Sequence, residues 1–261
     1  MEVVIVESPG AGAELAAGAI CALLNQRPDA VLGLATGSTP LPVYDALAER
    51  YRAGAVSFAH AQGFALDEYV GLSQGHPESY RSVLDREIVD RVDFAPGAVH
   101  TPDGWSDDPR AACAAYDAAI TLAGGIDLQI LGVGTDGHIG FNEPTSSLAS
   151  PTRIKTLTQQ TREDNARFFD GDIDQVPHHV MTQGIGTILR AGHLILLAWG
   201  SNKAHAVAAT VEGPVTSMVP SSALQLHPHV TVLVDEPAAE ALTQAGYYRH
   251  VFAHKPDWQG L

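Results

Sequence analysis

The 261-residue chain is short of basic side chains, of cysteine and of long apolar runs, and each shortage removes a class of protein. Fifteen Lys and Arg against 30 Asp and Glu leave a formal charge of −15 at pH 7. No general nucleic-acid or anionic-membrane surface fits that balance, because such affinity comes from clustered cations. Any phosphate must be held by a few local groups. The two cysteines, Cys21 and Cys113, lie in separate Ala-rich segments with no CxxC or Cys/His cluster, which favours buried structural thiols over a disulfide or a metal site. The longest apolar stretch, residues 194–199, is far short of a membrane span. The N-terminal segment is acidic from Glu2 onward and lacks the basic region of a signal peptide, so a cytoplasmic protein is expected. What is present, 45% apolar residues and few charges, is an ordinary globular composition.

Short β-type runs alternate with helical patterns throughout, the signature of βα units around a mainly parallel sheet. Strands are predicted at residues 3–6, 31–35, 63–66, 127–132, 193–198 and 230–234, and helices at 12–25, 41–53, 107–123, 203–211 and 238–245. The Gly/Pro-rich stretch 94–108 is the one candidate boundary, but the alternation resumes directly beyond it. A single α/β domain over residues 1–261 is expected. In such a sheet ligands bind outside the carboxyl ends of the strands, and that is where the unusual motifs fall.

The first motif runs Ala35-Thr36-Gly37-Ser38-Thr39-Pro40, from a strand into a helix opened by proline. Thr39 is a natural helix cap, and Gly37, Ser38 and Thr39 form a turn whose free N–H groups suit an anion. It is a phosphate cradle without the Walker lysine, or simply a capped βα turn. In the second, Leu66-Asp67-Glu68-Tyr69, two carboxylates follow an apolar run and only one is expected to face the crevice. Asp67 there is a candidate general base for a carbon acid, or a helix cap.

The third motif runs from Gly132 to Pro144 and places Asp136, His138 and Glu143 in one glycine-rich loop. Carboxylates beside an imidazole fix its orientation and favour its charged form, which suits a proton shuttle. The same three groups could ligate a metal, but no HxH or HExxH spacing supports that. Arg167 and Lys203 stand beside predicted site loops and are candidates for phosphate ligation or surface charges. Arg153 and Lys155 make a second basic spot just past the His138 loop. His178, His179, His227 and His229 show no ligand spacing.

Together with His76-Pro77-Glu78-Ser79-Tyr80 and Leu224-Gln225-Leu226-His227-Pro228, these motifs resemble, in order and across nearly the whole chain, those of the glucosamine-6-phosphate deaminase family. The resemblance implies a modified Rossmann-like α/β sandwich and an aldose–ketose isomerisation that releases ammonia, with no metal and no organic cofactor. It matches Asp67 to the base for the C2 proton, His138 to the ring-opening acid/base, and Asp136 and Glu143 to its supporting carboxylates. Gly37, Ser38, Thr39, Arg167 and Lys203 fall on phosphate-binding positions. Ser146, Arg153, Lys155 and Thr156 match an allosteric site for N-acetylglucosamine 6-phosphate in activated, hexameric members, implying a homo-oligomer. Tyr247, Tyr248 and Arg249 lie near where such members place an effector-contacting tyrosine. The alternatives are a phosphogluconolactonase, a pentose-phosphate isomerase, or a sugar-phosphate sensor of a transcriptional regulator. The last usually carries a basic helix-turn-helix, and none is visible here.

Overall fold

Ser8 and Pro9 start the first helix as their chemistry dictates: the serine hydroxyl accepts the Ala11 N–H at 3.2 Å, and proline occupies the first turn, where no N–H is needed. The computed structural model describes residues 1–256 and 258–261. Along the chain the elements are β1 (Glu2–Val6), α1 (Pro9–Gln26), β2 (Val31–Leu34), α2 (Leu41–Arg52), β3 (Gln62–Ala65), β4 (Asp67–Tyr69), α3 (Tyr80–Glu87), β5 (Val99–His100), α4 (Pro109–Leu122), β6 (Leu128–Gly132), β7 (Arg153–Thr156), α5 (Gln159–Asn165), β8 (His179–Thr182), α6 (Ile185–Ile188), β9 (His193–Ala198), α7 (Ala204–Val211), β10 (Val230–Asp235) and α8 (Ala245–Ala253).

Seven strands form one parallel sheet in the order β1-β10-β9-β6-β2-β3-β5. Every residue of β2, β9 and β10 is buried, as expected of strands covered on both faces. In α1 the buried positions Ala13, Ala16, Ala17, Ile20 and Leu24 recur at three- and four-residue spacing and make one apolar stripe. A mainly parallel α/β fold is therefore as expected. The stretch 94–108 is no boundary, because β5 within it pairs with β3 and Phe94 packs on Phe58. Both cysteines are free and buried. Among the described residues no helix is long and apolar enough to cross a membrane.

A second sheet, β4-β8-β7, is antiparallel and was not predicted. Leu66 joins the two sheets: its N–H donates to Leu34 while its carbonyl accepts from Gln183. The chain thus leaves parallel pairing with β2 and enters antiparallel pairing with β8 at one residue, which sets Asp67 at the carboxyl edge of the main sheet. Two helix expectations are corrected. Residues 238–244 form no helix but turns and an irregular link, and the helix begins at Ala245, because the Asp235 carboxylate takes the Ala238 N–H and Glu212 takes those of Thr243 and Gln244. Thr39 does not cap α2; Pro40 occupies the cap position, with no side-chain hydrogen bond.

Candidate active site

The ends of β2, β3, β6 and β9 surround a cleft of about 560 Å³. Asp67, His138, Gly37, Ser38, Thr39, Arg167 and Lys203 all line it. Gly37 has φ +89°, a conformation that side chains other than glycine's rarely adopt, so the turn after β2 depends on it.

Asp67 is 5% exposed, and among the described residues no hydrogen bond reaches its carboxylate from the protein. Burial pushes its pKa up to about 8, the neighbouring Glu68 pushes the same way, and His138 opposes them. Glu68 turns inward instead, accepting N–H groups from Tyr69, Tyr80 and Arg81 at 2.8–2.9 Å. It accepts the first N–H groups of α3, whose cap is Ser79, and the helix-capping role considered for Asp67 is not taken by Asp67.

The loop after β6 folds back on itself, with the Gly134 N–H donating to the His138 carbonyl at 2.9 Å and the His138 N–H to Asp136 Oδ1 at 3.1 Å. Gly134 lies so close to the His138 ring that any Cβ there would displace it. Nδ1 of His138 is 2.7 Å from Asp136 Oδ1 and 3.5 Å from Glu143 Oε2. Burial alone would lower the imidazole pKa, but the two carboxylates overcome it and raise it to about 9. Asp136 is also partly buried, yet His138 holds it far below the usual carboxylate range.

The donor atoms of Asp136, His138 and Glu143 lie within 4.8 Å of one another, so they are also the set that could meet a metal ion. A tetrahedral ion with bonds of about 2.0–2.2 Å keeps its ligands roughly 3.3–3.6 Å apart. The 2.7 Å separation of Asp136 Oδ1 and His138 Nδ1 is shorter than that spacing.

Arg167 and Lys203 reach the cleft from the segment after α5 and from the turn after β9. Among the described residues neither is within 4.0 Å of a carboxylate, leaving both cations available to an anion. Burial lowers the Lys203 pKa, and Asp164 partly restores it.

Ser146, Arg153, Lys155 and Thr156 do not line the cleft. Arg153 and Lys155 lie two apart on β7, and Arg153 donates to Asn142 Oδ1 at 2.7 Å. Ser146 is buried with its hydroxyl unpaired, and Thr156 is exposed. Two contacts gave no sequence signal. The Thr161 hydroxyl donates to Glu143 Oε1 at 2.6 Å, and Asn165 donates to the Tyr69 hydroxyl at 3.1 Å. Only the cap pattern of Thr158 three residues before Thr161 was readable, and it does not say what the helix touches.

A strand-end carboxylate, an imidazole flanked by two acids and two cations without a carboxylate partner among the described residues make a site that can move protons on a small anionic substrate, as an enzyme would. Comparison with known proteins agrees. The family model for glucosamine-6-phosphate isomerases/6-phosphogluconolactonase matches residues 9–233. The glucosamine-6-phosphate deaminases of Streptomyces coelicolor and Mycolicibacterium smegmatis are 66% and 64% identical over the full length of both chains. That of Bifidobacterium longum is 53% identical, covering all of this chain and 99% of the relative. A solved structure described as a monomeric glucosamine-6-phosphate deaminase superposes with a TM-score of 0.90 at 40% identity, covering 92% of this chain and all of that one. The chain belongs to the glucosamine-6-phosphate isomerase/6-phosphogluconolactonase family.

Proposed function

We propose that the protein converts glucosamine 6-phosphate and water to fructose 6-phosphate and ammonia. The observation that carries this reading is the buried, cleft-facing Asp67 opposite an acid-flanked His138. Opening the pyranose needs a proton delivered to the ring oxygen and one taken from the anomeric hydroxyl. The His138 imidazolium gives the first and, once neutral, takes the second, with Asp136 and Glu143 holding its charge. The open aldehyde acidifies the C2 hydrogen, and Asp67, ionised, removes it. Reprotonation of the enolamine at C1 gives a ketimine at C2, which water hydrolyses with release of ammonia. Gly37, Ser38, Thr39, Arg167 and Lys203 hold the 6-phosphate, the two side chains by charge and the turn by its N–H groups.

A lactonase needs a base for water but no acceptor for a C2 hydrogen, and the 6-phosphogluconolactonase from Trypanosoma cruzi shares the fold at only 20% identity. The names of the full-length relatives support the deaminase reading over it. Ammonia release from glucosamine 6-phosphate in a coupled assay tests the proposal, and hydrolysis of 6-phosphogluconolactone without ammonia release would replace it.

The remaining points extend the same proposal. Residues 1–261 act as one domain, supported by the first and last strands of the chain pairing side by side in one sheet. A phosphorylated-sugar substrate supports action in the cytoplasm. Ser146, Arg153, Lys155 and Thr156 bind N-acetylglucosamine 6-phosphate as an activator, supported by two adjacent cations on β7 with no carboxylate within 4.0 Å among the described residues. The protein assembles as a homo-oligomer, with a hexamer the form the family resemblance suggests. Exposed large apolar side chains such as Met218, Leu226 and Tyr247 support assembly.

A further inference from the structure

Glu143 is placed by a residue outside its own loop. One carboxylate oxygen approaches His138, and the other accepts the hydroxyl of Thr161, which is 9% exposed and sits in the first turn of α5. A threonine hydroxyl has one proton. Since Thr161 gives its proton to Glu143, the 2.8 Å contact between the hydroxyls of Thr158 and Thr161 must be donated by Thr158. Thr158 also accepts the Thr161 N–H at 3.1 Å and so caps the helix. The chain of donors runs Thr158 to Thr161 to Glu143, and its end faces His138.

The helix that supplies Thr161 is tied to the segment that carries Arg167. Arg162 is buried, and its guanidinium donates to the carbonyls of Ile173 and Val176, closing the loop onto α5. Asn165 holds the Tyr69 hydroxyl, and the Phe169 ring stands edge-on to Tyr69 at 5.7 Å. Residues 159–176 are thereby packed as one unit, with Arg167 at the cleft and Thr161 on Glu143.

We propose that Thr161 is a positioning residue for the ring-opening step: its hydroxyl fixes Glu143 against His138 and links that pair to the segment that binds the phosphate. This rests on the function proposed above. Thr161 lines the cleft, but its one hydroxyl proton is committed to Glu143, so its loss is expected to leave ground-state binding in place and to weaken the acid/base pair.

Steady-state ammonia release from glucosamine 6-phosphate is measured for the wild type, Thr161→Val, Thr161→Ser and Arg167→Ala. Losing a hydrogen bond to a charged group lowers kcat of Thr161→Val roughly tenfold to a hundredfold, with KM changed by less than about twofold. Thr161→Ser, which keeps the hydroxyl, restores most of kcat, whereas Arg167→Ala raises KM. Thr161→Ala carries the same expectation as valine should the valine methyl disturb folding. An unchanged kcat, a KM rise as large as the kcat loss, or no recovery with serine overturns this role. An inactive wild type overturns the proposed function and this role with it, whereas an active wild type with an unaffected variant overturns the role alone.

Discussion

Asp67 concentrates the cost and the use of the site in one side chain. A folded-state pKa of about 8 lies above the ordinary value of 3.8. Between those values the folded protein holds a proton that the unfolded chain has released, so stability falls as pH rises through that window. Asp67→Asn keeps the shape and removes the charge. Turnover is expected to fall by about 10²–10⁴, while the melting temperature at pH 8 rises by about 2–4 °C for each kcal/mol recovered. A variant that still exchanges the C2 hydrogen with solvent at the wild-type rate removes Asp67 from the mechanism. Because the proposed mechanism needs Asp67 ionised and His138 protonated, kcat/KM should climb from about pH 6 through pH 8 and fall again above about pH 9. A flat profile over that range would place the base elsewhere. His138 acts in the same direction with pH: raised to about 9, it adds stability that is fully present below its ordinary pKa of 6.5 and lost as pH rises through 9. The close approach of Asp136 and His138, tighter than two ligands of one ion, further predicts full activity after exhaustive chelation, and loss with EDTA followed by recovery with one divalent ion would make the trio a metal centre.

At the scale of elements, the site exists because several strand ends converge and one strand changes sheets. The turn after β2, the loop after β6 and the turn after β9 were each readable as strand-to-loop junctions, so their convergence was expected from the parallel sheet. Arg167 follows no strand of the main sheet, and only the packing of α5 brings it to the cleft. Arg167→Ala and Lys203→Ala should each weaken binding of phosphorylated sugars about tenfold to a hundredfold, the value of a charge-assisted hydrogen bond. Isothermal titration with fructose 6-phosphate measures this, and unchanged affinity in both variants would move the phosphate site. The antiparallel sheet escaped prediction for a physical reason. Its strands are three or four residues long, and β7 and β8 carry Arg, Lys, Thr and His among their few apolar positions. Such runs are too short for their alternation to stand out from a loop.

At the scale of the whole molecule, that small sheet connects the basic spot to Asp67, the proposed base. Thr182 on β8 pairs with Asp67 on one side and with Arg153 on the other, and Arg153 also holds Asn142 beside Glu143. An anion that binds Arg153 better in one arrangement of β7 than in another would bias both carboxylates, and couplings of about 1–3 kcal/mol correspond to roughly 5- to 150-fold in substrate affinity. N-acetylglucosamine 6-phosphate should therefore shift the substrate saturation curve of the wild type, and Arg153→Ala should abolish the shift. Curves left unchanged, or moved only by competition with substrate, would rule out activation. Sedimentation of the same samples measures assembly, and a mass of 27.5 kDa with and without the sugar phosphate would identify a monomer.

Composition and periodicity by themselves determined the class of fold and the order of most strands' appearance, because these depend on sums and on local repeats. The loop proposed to carry the acid/base chemistry was legible for the same reason: Asp136, His138 and Glu143 are near neighbours in the chain, and the short segment that joins them cannot carry them far apart. Only the tertiary structure decided which of Asp67 and Glu68 faces the cleft, since their directions follow from the exchange of partners at Leu66. It alone raised the pKa of Asp67, because desolvation is a property of what surrounds a side chain. It also decided that Thr161 reaches Glu143, a contact between residues 18 apart in the chain that depends on how α5 packs and on nothing either residue encodes locally.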